Sequence, residues 1–229
     1  MFLIGGPAFS GTTLLTLLVN QANTVCLDEP DFHNPAQSHR GIPFLQTLFP
    51  EKSFPERPDK ALSYTDAVCL IEACERAIHP IALGIKTCDQ IFIDYGEIYL
   101  ARRYPVVAII RDIRDALVRP LPPWIDEAGL NRAYRLVWNH LSRFDAWFRY
   151  EELVVNTAPI MATLSRVLNV PLSPVERWDS ETVHYPMLKL ERHEMLKSGA
   201  ISSSRVGIWK NSGIVFSKAT LETAEMMGY

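Results

Sequence analysis

The sequence has no apolar run approaching the ~20 residues needed to span a bilayer, so no membrane span is expected. It has no block of like charge either. Its 23 Lys and Arg are interspersed with 26 Asp and Glu, for a formal net charge of −3. A nucleic-acid footprint or an anionic-membrane patch needs clustered basic residues. No nucleic-acid partner is expected, and any anion site must be local. Cysteine is scarce: Cys26, Cys69, Cys74 and Cys88 show no paired C-x-x-C spacing, which argues against a metal site. Scattered thiols without a framework fit a reducing, cytoplasmic setting. The apolar start lacks a basic n-region. Gly5, Gly6, Pro7 and Gly11 also interrupt it, where a secretory signal needs an unbroken apolar segment. Repeats and low-complexity tracts are missing as well.

What is present is the length of one domain, 1–229, with an ordinary 48% hydrophobic content. Short apolar runs suited to buried strands recur at Phe2–Gly5, Ala82–Ile85 and Val106–Ile110, with a weaker one at Thr24–Leu27. Helical patterns separate them at Thr12–Gln21, Ser63–Ile78 and Tyr95–Arg103. This alternation predicts an α/β fold in three layers, with a mostly parallel central sheet flanked by helices. A long helical stretch, Ala128–Phe148, and a further helix, Pro159–Leu168, follow. The Pro-rich stretch from Pro30 to Pro58 reads as an irregular excursion able to form part of a substrate mouth.

The first run leads into Gly6-Pro7-Ala8-Phe9-Ser10-Gly11-Thr12-Thr13 and then the helical Leu14–Leu18. Strand, glycine-bearing turn and helix start are what a phosphate loop requires. Backbone N–H groups turn inward, and the helix N-terminus adds partial positive charge. A nucleotide kinase or ATPase has Lys then Ser/Thr after the second glycine. Thr12 occupies that lysine position, which counts against a metal-assisted NTPase.

Ser10-Gly11-Thr12-Thr13-Leu14 resembles the first signature of the sulfotransferases that use 3′-phosphoadenosine-5′-phosphosulfate (PAPS). Val106 to Val118, containing Arg111-Asp112-Ile113-Arg114-Asp115, resembles their second. Arg149-Tyr150-Glu151-Glu152-Leu153 and Arg205-Val206-Gly207-Ile208-Trp209-Lys210 are similar to two later elements, in the family's order. The resemblance implies a P-loop-like sulfotransferase fold and transfer of a sulfuryl group from PAPS to a hydroxyl, or an amine, of a small-molecule or carbohydrate acceptor. No metal is implied. Two positions depart from the pattern: Phe9 stands where Lys or Arg usually precedes the loop serine, and Arg119 stands where a serine is usual.

On this resemblance Phe9, Ser10, Gly11, Thr12 and Thr13 cradle the 5′-phosphate, and Arg111 clamps the 3′-phosphate, aided by Arg119 or by Arg205 and its neighbour Gly207. Lys86, in Gly84-Ile85-Lys86-Thr87, is the remaining cation for the transferring group, and Glu29 the favoured base, able to accept the acceptor's proton if the site raises its pKa toward neutrality. Asp28, His33 and His39 are competing bases. Asp112, Arg114 and Asp115 are expected to start and solvate the helix they precede. Trp124, Trp138 and Trp147 are expected in the core, and Trp209 on the cofactor side. Two other readings stay open: an ATP- and Mg²⁺-dependent small-molecule kinase using Asp28 or Asp112, and a nucleotide-binding protein without turnover.

Overall fold

The computed structural model describes residues 1–37, 39–175 and 200–229. Five parallel strands form one sheet in the order β2-β3-β1-β4-β5: β1 Phe2–Gly6, β2 Thr24–Asp28, β3 Ala82–Cys88, β4 Val106–Ile110 and β5 Ala146–Arg149. The register sets Ile4 against Lys86 on one side and Val107 on the other. The central strands are short continuous apolar runs because both faces are covered. Phe2, Ile4, Val107 and Ile109 pack against helices α1 (Thr12–Val19), α7 (Tyr150–Val155) and α8 (Thr157–Leu168). Their neighbours Leu3, Val106, Ala108 and Ile110 pack against α3 (Tyr64–Ile78), α4 (Asp89–Ala101), α6 (Glu127–His140) and α9 (Lys218–Met226).

Local chemistry fixes the helix boundaries. The Ser63 hydroxyl accepts from the Asp66 N–H to start α3, whose buried face is Ala67, Val68, Ile71, Cys74 and Ile78. Asp126 likewise accepts from the Gly129 N–H to start α6. Among its described residues the excursion after β2 contains a 3-10 turn at Pro35–Gln37 and a short α-helix, α2 (Ile42–Leu48), whose Ile42 and Leu45 are buried.

The long helix expected over Ala128–Phe148 is shorter than its pattern, and this corrects the sequence reading. It ends at His140, passes through a 3-10 turn at Leu141–Arg143, and gives way to β5. The apolar spacing continues through the break, so periodicity could not show it. Asp145 accepts from the Val106 N–H and returns its own N–H to the Val106 carbonyl, which seats β5 on β4. Phe144 then packs on Phe92 in one core while Phe148 enters the other. One face of a single helix could not serve both.

The connection from β1 leads to β2 on one side of the sheet, whereas that from β4 leads to β5 on the other. The carboxyl ends of β1 and β4 therefore border a topological switch point, where α/β sheets leave a crevice. Among the described residues no helix is long and apolar enough to cross a membrane. Leu15, fully buried beneath β1, tests the packing of α1: Leu15→Ala should cost about 2–5 kcal/mol of stability. In urea unfolding this appears as a lowered midpoint with an unchanged slope.

Candidate active site

A cleft of about 490 Å³ opens at the carboxyl edge of the sheet. The loop after β1 forms its floor. Gly11, at φ 103°, is where the chain enters α1, and a Cβ there would lie 2.4 Å from the Tyr150 ring. Only glycine satisfies both the backbone angle and the close approach. The Ala8 N–H donates to Asp89 Oδ1 at 2.8 Å, which ties the loop to the end of β3.

At one end of the cleft stand Arg111, Arg119 and Arg205. Arg111 follows directly on β4 and is 2% exposed. Its guanidinium lies 4.4 Å from the Tyr150 ring centroid, forms an ion pair with Asp115 at 3.6 Å, and donates to the Arg205 carbonyl. Burial, and then the positive charges of Arg205 and Arg111, lower the pKa of Arg119. Three mutually repelling cations are an anion site by composition. The Arg111 Nε, the Thr87 hydroxyl and the Tyr150 hydroxyl are buried without a hydrogen-bond partner among the described residues, and all three residues line the cleft. Such groups suit a bound oxyanion, because an unsatisfied buried donor is costly.

Asp115 was expected to solvate a helix, and the structure corrects this. It is 1% exposed and accepts from the Gly207 N–H at 2.7 Å and the Trp209 N–H at 3.1 Å. It thereby carries the loop that delivers Arg205. Gly207 itself does not line the cleft, because its N–H is spent on this carboxylate. Asp112 does start a helix, α5 (Ile113–Leu117), through the Arg114 N–H, and it also pairs with the Arg114 guanidinium at 2.7 Å. Arg114 covers the Trp209 ring at 3.9 Å, and Trp209 is not among the lining residues.

The other end is acidic. Lys86, 3% exposed, sits between Asp28 at 2.6 Å and Glu29 at 2.8 Å. Burial alone would lower its pKa, but the Cys88 sulfur and the two carboxylates outweigh it and hold the ammonium well above its usual range. Glu29 also accepts from the Cys88 thiol at 3.5 Å and faces Arg40 at 3.8 Å. Lys86 holds the Glu29 carboxyl below its ordinary value, the opposite of the rise that a base working near neutrality requires. Burial pushes the Cys88 thiol up to about 12, so it stays protonated near neutral pH. Asp31 and Asp89, each raised by burial, complete this end.

Phe9, Thr12, Thr13, Glu29 and Lys86 thus line the same cleft as the three arginines, whereas Asp28, His33, His39 and the buried Ser10 do not. His33 packs instead against Tyr64 and Tyr95. Several lining residues were not recognised from the sequence, among them Asp31, Asp89, Tyr150 and Trp124. Tyr150 was visible only within the Arg149–Leu153 resemblance. Trp124, expected in the core, is 68% exposed and stacks on Phe9 at 6.1 Å with an interplanar angle of 21°. Trp147 is also partly exposed, at 39%.

No protein-family model matches the chain, and no curated protein does. Solved structures do. The sulfotransferase domain from the curacin biosynthetic pathway aligns with a TM-score of 0.66 and 16% identity, covering 100% of this chain and 97% of that domain. The sulfotransferase domain from the Synechococcus PCC 7002 olefin synthase aligns at 0.64 and 15% identity, covering 100% and 94%. The chain therefore has the fold of these sulfotransferase domains.

Two measurements check the site's wiring. Lys86 is the largest influence holding the Glu29 carboxyl down, and burial opposes it, so Lys86→Met should raise the Glu29 carboxyl pKa in a carbon-13 NMR titration even though the Cys88 thiol and Arg40 remain. Asp115→Ala removes two charge-assisted backbone contacts, each worth about 1.5–3 kcal/mol. Amide exchange at Gly207 and Trp209 should accelerate accordingly, with β1 and β4 still protected.

Proposed function

We propose that the chain is a PAPS-dependent sulfotransferase acting on a hydroxyl of a small acceptor. The observation that carries this reading is the convergence, on one cleft at the sheet's switch point, of a lysine-free phosphate loop with Arg111, Arg119 and Arg205. The fold shared with two sulfotransferase domains supports it.

The loop N–H groups and the start of α1 would hold the 5′-phosphate, with Thr12 and Thr13 adding hydroxyl donors at the first turn. The three arginines would hold the 3′-phosphate, Arg111 being pre-aligned by Asp115 and Tyr150. When bound, PAPS supplies an activated sulfuryl group. Catalysis then rests on positioning and electrostatics. Glu29 accepts the acceptor's hydroxyl proton at Oε1 once the Lys86 ammonium has turned away from it. Losing that counter-charge raises the basicity of the carboxylate, so one side-chain movement frees both a cation and a base.

The kinase reading is weakened by the acids it would draw on. Asp28 is already neutralised by Lys86 and Asp112 by Arg114. Calorimetry with adenosine 3′,5′-bisphosphate and with Mg·ATP separates the readings. Metal-independent binding of the bisphosphate is expected, and a preference for Mg·ATP would reject the proposal. Bisphosphate binding without sulfate transfer across a broad acceptor panel would favour a binding protein without turnover. Arg111→Ala should weaken the bisphosphate by about 10-fold or more, the cost of losing one charge-assisted contact, while adenosine 5′-phosphate changes far less. Equal losses would remove Arg111 from the 3′-phosphate.

A further inference from the structure

The cleft is electrically divided, and its acidic half carries a feature the donor does not require. Arg119 feels the charges of Arg111 and Arg205, whereas Asp31 feels His33, Glu29, Arg40 and Asp28, and Asp89 feels Glu29 and Lys86. Three carboxylates (Glu29, Asp31, Asp89) and one cation (Lys86) line the acidic half, while behind them Asp28 pairs with Lys86, Arg40 faces Glu29 and His33 lies beside Asp31. An acceptor bearing an anionic group would meet net repulsion here, from these carboxylates and from the donor's own sulfuryl group.

Backbone strain marks the same half. Phe9, Glu29, Asp31 and Asp89 all adopt left-handed backbone angles, at φ 66°, 46°, 47° and 55°. Left-handed angles cost a residue with a Cβ about 1–2 kcal/mol. They persist where the surroundings impose them, commonly at ligand sites. At Phe9 the strain aims an aromatic ring into the cleft, where the resemblance would place a cation. Trp124 lies nearly parallel to it and remains 68% exposed. A large indole left open to water, stacked on a strained phenyl ring, offers a flat surface for a third ring.

We propose that Phe9 and Trp124, with the carboxylates of Glu29, Asp31 and Asp89, form the acceptor subsite, and that it takes an aromatic hydroxyl compound bearing no anionic group. This rests on the sulfuryl-transfer reading for the arginine end. The ring would lie on Trp124 with its hydroxyl toward Glu29, and a positively charged substituent would be welcomed by the surplus of carboxylates. Phe9 thus exchanges a cation near the donor for affinity toward the acceptor's ring.

Ligand-observed NMR titrations test this with three probes of one shape: 4-methylphenol, tyramine and 4-hydroxyphenylacetate. Each is titrated against the full chain, alone and saturated with adenosine 3′,5′-bisphosphate. The first two should bind about 10-fold or more tighter than the anion. Trp124→Ala should weaken them by a similar factor, Trp124→Phe should retain most of the affinity, and bisphosphate affinity should stay unchanged in both variants. Equal or tighter binding of 4-hydroxyphenylacetate overturns the inference, as does insensitivity to Trp124→Ala or bisphosphate binding with no aryl binding at all. The expected aryl pattern without bisphosphate binding would support the aromatic subsite and reject only the donor reading.

Discussion

A carboxylate buried to 1% exposure persists only if its lone pairs are used, and the cleft is organised around that requirement at Asp115. It gathers the Gly207 and Trp209 N–H groups and the Arg111 guanidinium. Residues distant in sequence are thereby held together: the end of β4, helix α5 and the loop that brings Arg205. Lys86 faces the same constraint with the sign reversed, and Asp28 and Glu29 answer it. Each half of the cleft is thus built on one buried charge whose partners come from another element.

The Arg149–Leu153 element braces this arrangement from below. Tyr150 fills the space beside Gly11 and under Arg111. Glu151 accepts from the Asp112 N–H and from the Tyr229 hydroxyl, and Arg149 donates to the Met227 carbonyl. The chain's last helix is thereby anchored to the strand edge that presents Arg111. Rigid support of this kind is what an electrostatic site needs, because its donors must be aimed before the ligand arrives.

Much of the sheet was legible because strand β4 and the loop after β1 are local patterns: an apolar run, glycines at a turn, a helix start. Arg111 and Lys86 could be placed because each falls at or beside the carboxyl end of such a run. Strand β5 could not, since the spacing of Leu141 and Phe144 continues a helical period that the backbone abandons. Asp115 looked like a helix-start acid because its partners lie about 90 residues away. The position of Trp124 at the cleft involves a contact with Phe9, distant from it in the sequence, and no local pattern encodes it. The Lys86–Glu29 pair was invisible for the same reason, so the direction of the Glu29 shift could not be read from the sequence.

The left-handed residues that rim the acidic half also bear on how this protein can change. Glycine adopts those backbone angles without penalty, so replacing Phe9 or Asp31 with glycine would relieve strain at positions where each side chain faces the cleft, whereas Glu29 and Asp89 also satisfy Lys86 and the Ala8 N–H. Selection for thermal robustness alone would therefore tend to erode the mouth of the cleft before the sheet. In directed evolution, these are positions to hold fixed while the rest of the chain is stabilised.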